Sequence, residues 1–141
     1  KYGYDEFRYE MANRSSRVIN QESEEAISLI PGEKLLTFEI GKAFVGVSFR
    51  WIPTIRQEEI VIEALFVNKG DEGRGYGKNA LRAICESAYE ADVEPVLFCQ
   101  PIQPSMVASV TDRGLTRSQL MAFYRSGGFR PIGTTGWLRF A

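Results

Sequence analysis

The sequence predicts a single α/β or α+β domain folded around one sheet, and three stretches of its 141 residues carry that reading. Glu33–Ile40 and Ala43–Trp51 are rich in β-branched and aromatic residues, with Gly41-Lys42 between them as a two-residue hairpin composition. Glu58–Val67 (EEIVIEALFV) reads as a third strand, followed across a glycine-rich turn by a helix with one apolar face. The short apolar run Pro95–Gln100 and a well-signalled helix from Thr116 continue the alternation of a layered sheet-and-helix domain.

Taken in order, the first 32 residues carry the weakest pattern. Phe7, Tyr9 and Met11 alternate like a strand, and Glu22 to Ile30 has the length of a short helix stopped by Pro31-Gly32. In the third strand the period of two places Glu59, Val61, Glu63, Leu65 and Val67 on one face. The next helix opens near Gly75, and Leu81, Ile84, Cys85 and Ala88 give it one buried side. Pro95–Gln100 suits a strand buried on both faces. After the stretch Pro101–Gly114, Thr116 with Gln119 forms a capping box and Leu115 with Leu120 a hydrophobic staple. That helix runs to Ser126, where Gly127-Gly128 stops it, and Phe129–Ile132 and Gly136–Phe140 close the sheet. No repeat or linker divides the chain, so residues 1–141 are read as one domain.

Composition excludes several chemistries. There is no histidine, which removes His-based zinc sites, Ser-His-Asp triads and Cys-His dyads. Cys85 and Cys99 have no metal-ligand spacing, and no metal is expected. No apolar run approaches the roughly 18 to 20 residues of a membrane span. With no signal-peptide pattern and two thiols, the expected setting is a reducing cytoplasm. The net charge of −1 argues against general nucleic acid binding, although the five Arg between Arg113 and Ala141 stand without a single acid.

The densest chemical signal is Glu72-Gly73-Arg74-Gly75-Tyr76-Gly77-Lys78, set between a strand and a helix. Glycines let backbone approach a ligand without a Cβ clash, and the first N–H groups of the helix favour a phosphate. A P-loop would need glycine at Glu72 and Ser or Thr at Asn79; a dinucleotide fingerprint would need glycine at Lys78. Both patterns fail.

The segment instead resembles the acetyl-CoA motif of the GNAT superfamily of N-acetyltransferases, Gln/Arg-x-x-Gly-x-Gly/Ala, with Glu72 standing where Gln or Arg is usual. Phe123-Tyr124-Arg125-Ser126-Gly127-Gly128-Phe129 resembles the same family's helix end, F-Y-x-x-x-G-F. The resemblance covers about residues 33–135. It implies a mixed, mostly antiparallel sheet flanked by helices, with the fourth and fifth strands splayed apart. The pantetheine arm of acetyl-CoA would then lie along the backbone of Leu65, Phe66 and Val67. Glu72, Gly73, Arg74, Gly75, Tyr76, Gly77 and Lys78 would hold the pyrophosphate.

The implied reaction is direct acetyl transfer to a primary amine in a ternary complex. Tyr124 matches the proton donor to the departing thiolate, a fit for a phenol of pKa about 10. Glu63 is the candidate base, because an acid inside an apolar strand is unusual. Glu59 and a water relay are the other candidates. The Asn that the family often carries after its fifth strand is missing, leaving Ser118 or Gln119 as substitutes. Pro101–Gly114 and Trp51–Gln57 are expected to shape the acceptor pocket. The acceptor itself, small molecule or protein, is not legible, and the resemblance admits a homodimer. A catalytically silent module that binds acyl-CoA as a sensor or interaction protein is the competing expectation.

Overall fold

The computed structural model describes residues 3–19, 36–68, 70–71, 73–99 and 116–141, with the backbone of 110–111. The expected helix over Glu22–Ile30, the Leu115 staple and Glu72 lie outside the described residues.

The element order is α1 (Tyr4–Asn13), β1 (Arg17–Ile19), β2 (Leu36–Ile40), β3 (Ala43–Ile52), β4 (Gln57–Asn68), α2 (Tyr76–Ala91), β5 (Val96–Phe98), β6 (Val110–Thr111), α3 (Arg117–Ser126), β7 (Phe129–Pro131) and β8 (Trp137–Phe140). The described strands join one sheet in the order β1-β2-β3-β4-β5-β8-β7, with β6 added to β4. Only β4 and β5 run parallel among these pairings, and α2 supplies the crossover that a parallel pair requires. The mixed, mostly antiparallel sheet with three helices is the expected fold class.

One expectation at the N-terminus is corrected. Phe7, Tyr9 and Met11 belong to a helix rather than a strand: Phe7 and Met11, one turn apart, are fully buried, while Tyr9 is 65% exposed. Three alternating positions also contain an i, i+4 pair, and Asp5 and Glu6 in the first turn favour the positive end of a helix dipole. Neither β1 nor β6 was anticipated; both are too short to show a period.

Elsewhere the local signals work as expected. Gly41, at φ 60°, makes the β2–β3 hairpin. Gly75 caps α2 in the left-handed conformation, and Leu81, Ile84 and Ala88 are buried beneath it. The capping box is complete: Thr116 Oγ1 accepts from Gln119 N at 3.2 Å, and Gln119 Oε1 accepts from Thr116 N at 2.8 Å. β5 departs from the expectation of burial on both faces, since Val96 and Leu97 are buried but Phe98 is 43% exposed.

The two faces of the sheet are unlike. One packs its apolar side chains, among them Phe38, Val45, Val47, Ile60, Ile62 and Leu97, with Phe7 of α1 and Ile84 of α2. The other holds a smaller cluster of Ile52, Val61, Val96 and Trp137. The helix layer closes tightly where the end of α3 meets α2. A Cβ at Gly127 would lie 2.9 Å from Leu81 Cγ and Cδ2 and 3.2 Å from Cys85 Sγ.

Gly127→Ala therefore tests how closely α2 and α3 are pressed together. Overpacking should lower unfolding free energy by about 1–3 kcal/mol, although alanine is the better helix residue. Urea unfolding of the variant reads this directly, and an unchanged or raised midpoint would show that the helices separate freely.

Candidate functional site

The glycine turn lies between the end of β4 and the start of α2. Gly70, Gly73 and Gly75 take φ of 100°, 75° and 82°, a run of left-handed positions that other residues rarely adopt. Gly75 supplies no side-chain cap, and the first intrahelical bond at this end is Asn79 N to Gly75 O at 3.1 Å. The N–H groups of Tyr76, Gly77 and Lys78 thus lie beyond the reach of the helix ladder at its positive end. A Cβ at Gly73 or Gly75 would meet nothing within 4 Å, so the outer face of the turn is open. Arg74 and Lys78 on it are exposed, and exposed Lys42 follows Gly41, whose Cβ would lie 3.8 Å from the Tyr76 ring. The arrangement suits an anion.

Gly77 looks inward instead. Its Cβ would stand 3.8 Å from Phe123 Cζ and 3.9 Å from Leu65 Cδ2, so β4, the turn and α3 converge on this residue. Tyr124, next along α3, is half-buried and makes edge contacts with Phe123 (5.2 Å between centroids) and Phe129 (6.0 Å).

β4 itself breaks its period. Ala64 faces Gly46 and Ile62 faces Val47, leaving Glu63 as one residue too many: a β-bulge. The expected common face is corrected accordingly. Glu59 and Val61 share a face with the Glu63 carboxylate, whereas Leu65 and Val67 pack with the opposite, helix-side core. The bulge flips the phase so that Ile60, Ile62, Leu65 and Val67 all reach that core.

The bulge also marks where two strands part. Among the described residues, β5 pairs with β4 at Val61–Val96 only, and Leu97 and Phe98 continue with β8 alone. Further along, β6 takes the β4 edge opposite Val67 and Asn68. Between them, Ile62, Ala64, Leu65 and Phe66 of β4 have a ladder partner on the β3 side alone, and the bulged Glu63 has none, among the described residues. Of the three residues expected to receive a pantetheine arm, Leu65 and Phe66 lie in this gap and Val67 is already opposite Thr111.

Both candidate bases are engaged. Glu63 Oε2 accepts from Ser48 Oγ at 2.6 Å and Arg50 Nε at 2.7 Å, and Oε1 accepts from Arg50 Nη2 at 3.2 Å. Its side chain is 5% exposed. Glu59 is gripped on both oxygens by Arg139, at 3.0 and 2.7 Å, and this contact raises the already high pKa of Arg139. Of the proposed Asn substitutes, Gln119 is spent on the helix cap and Ser118 is exposed. Two hollows, of about 400 and 360 Å³, share Asp92, Val93 and Glu94 at the far end of α2 and do not touch the glycine turn. An uncapped helix start binds through outward N–H groups and needs no enclosed cavity.

Sequence reasoning missed Ser48, Arg50 and Arg139. The one available signal was the phase jump from Ile60 and Ile62 to Leu65 and Val67, hidden because Val61, Ala64 and Phe66 are apolar too. No family model, curated protein or solved structure matches the chain.

The thiols are poor nucleophiles here. Burial, with Glu86 adding to it, pushes Cys85 from 9.0 up to about 11, and burial likewise raises Cys99. Cys85 Sγ donates to Gly127 O at 3.1 Å. A raised thiol favours folding with the proton on; the contribution is whole below pH 9.0 and fades as pH passes about 11. Iodoacetamide labelling of Cys85, followed by mass spectrometry, should stay slow to pH 9.0 and climb toward about 11. A midpoint near ~8.5, the ordinary thiol value, would mean that the site opens to solvent.

Proposed function

We propose that this chain is an N-acetyltransferase that binds acetyl-CoA and passes its acetyl group to a primary amine. The observation that carries the reading is an uncapped helix start, opened by left-handed glycines, at the end of a strand edge left unladdered by β5. Exposed Arg74 and Lys78 complement the pyrophosphate, and the backbone of Leu65 and Phe66 offers strand-spaced donors and acceptors to an extended amide-bearing arm. The resemblance of the turn and of Phe123–Phe129 to the GNAT motifs supports the same reading.

The chemistry requires few groups. The neutral amine attacks the thioester carbonyl carbon, forming the C–N bond as the carbonyl pair moves onto oxygen. Collapse restores the C=O, breaks the C–S bond and leaves a thiolate, to which the Tyr124 hydroxyl gives its proton. The surplus proton on nitrogen passes through water to Glu63, whose Oε1 accepts one hydrogen bond and keeps a lone pair available. Solvent exchange returns that proton to Tyr124, so the sum is amine plus thioester to amide plus thiol. Glu59, held on both oxygens by Arg139, is the weaker base.

That both carboxylates are ion-paired favours a second reading, an acyl-CoA-binding module without turnover. Calorimetry and thiol release separate the two. The enzyme should bind acetyl-CoA and CoA in preference to ATP and NAD, and release CoA on mixing with amine panels. Tyr124→Phe keeps the ring and should lower kcat roughly ten- to a thousand-fold with little change in acetyl-CoA affinity. Binding without turnover selects the silent module, wild-type turnover in Tyr124→Phe removes the acid, and no acetyl-CoA binding overturns both.

A further inference from the structure

Arg50, on the bulged face, meets groups of two other strands. It lies on β3 opposite Glu59, yet its side chain runs along the strand to Glu63, meeting both carboxylate oxygens. The same guanidinium sits over the ring of Trp137, 5.6 Å from its centroid. Trp137 belongs to β8 and pairs with Phe98 of β5, the portion of β5 that has left β4. Arg50 therefore spans the split in the sheet, holding the bulge on one side and the β5–β8 arm on the other.

A second bridge crosses β5 lower down. Arg139 of β8 grips Glu59 of β4, and both flank the one β4–β5 pairing, Val61–Val96. That bridge stands where the strands are already joined. The Arg50 bridge stands where they diverge.

We propose that Arg50, with Ser48, is a positioning residue that fixes the opening between β4 and β5. The pair locks the extra residue Glu63, whose carboxylate is buried and which has no ladder partner of its own between Ile62–Val47 and Ala64–Gly46. A buried carboxylate that loses its cation and its hydroxyl donor must find water, so the bulge opens locally without them. Cation–π contact with Trp137 sets the distance to the other arm. The inference rests on the acetyl-CoA reading only for what the opening receives; the geometry of the opening stands without it.

The test uses the whole chain, with CoA as calorimetric probe and amide hydrogen exchange of residues 62–66 without ligand. Arg50→Leu should weaken CoA binding at least about tenfold. Ser48→Ala should weaken it less, and Ser48→Thr, which keeps the hydroxyl, should bind like wild type. Arg139→Leu is the control: it breaks the bridge at the joined end, lowers Tm and leaves CoA affinity unchanged. In Arg50→Leu, and not in Arg139→Leu, exchange over 62–66 should quicken at least about tenfold. Wild-type affinity and exchange in a folded Arg50→Leu overturn the proposal; should that variant not fold, Ser48→Ala with the Ser48→Thr rescue decides it by the same two readouts. Should the wild-type chain bind no CoA, the acetyl-CoA reading has failed, and the exchange comparison alone upholds or overturns the role of Arg50.

Discussion

β4 carries one more residue than β3 can match, and the placement of the candidate site follows from that excess. The extra residue, Glu63, shifts the pleat by one, so Leu65 and Val67 turn to the helix-side core that Ile60 and Ile62 already face. A bulge also increases strand twist. β4 parts from β5 at the same level, leaving a stretch of edge that, among the described residues, runs from Ile62 to Phe66, where β6 takes over just ahead of the glycine turn. Gly77, turned toward Leu65 and Phe123, sets the start of α2 beside both β4 and α3.

The two faces of the sheet divide the work. The helix side is nearly all apolar and supplies burial, with Phe7, Phe38, Ile84 and Leu138 among its fully enclosed residues. The other side carries two carboxylate–guanidinium pairs, Glu63–Arg50 and Glu59–Arg139, around a small apolar cluster. Such pairs contribute little net stability once desolvation is counted, but either partner left alone would be strongly unfavourable. Glu59–Arg139 stands where β4 and β5 are joined and Glu63–Arg50 where they part.

Much of this was legible in the sequence where a local signal is self-sufficient. Gly41 for the hairpin, the Thr116–Gln119 box and the Gly127 stop each act through one or two residues and needed no tertiary knowledge. The helix over Tyr4–Asn13 resembles a strand in sequence because Phe7 and Met11 satisfy both periods over so short a span. The bulge escaped because β4 is apolar on both faces, so a one-residue change of phase leaves no contrast in hydropathy. Arg50 and Arg139 look like ordinary surface cations in the sequence. Only the fold brings them to Glu63 and Glu59 across strands 13 and 80 residues away.

If acetyl-CoA lies on the open face of the glycine turn and the adjoining edge of β4, titrating CoA into the ¹⁵N-labelled chain maps its position through backbone amide shifts. The largest shifts should fall at Gly73, Gly75, Tyr76, Gly77 and Lys78, with a second set at Ala64, Leu65 and Phe66. Shifts gathered instead around Asp92, Val93 and Glu94 at the other end of α2, or none at saturating CoA, would contradict it.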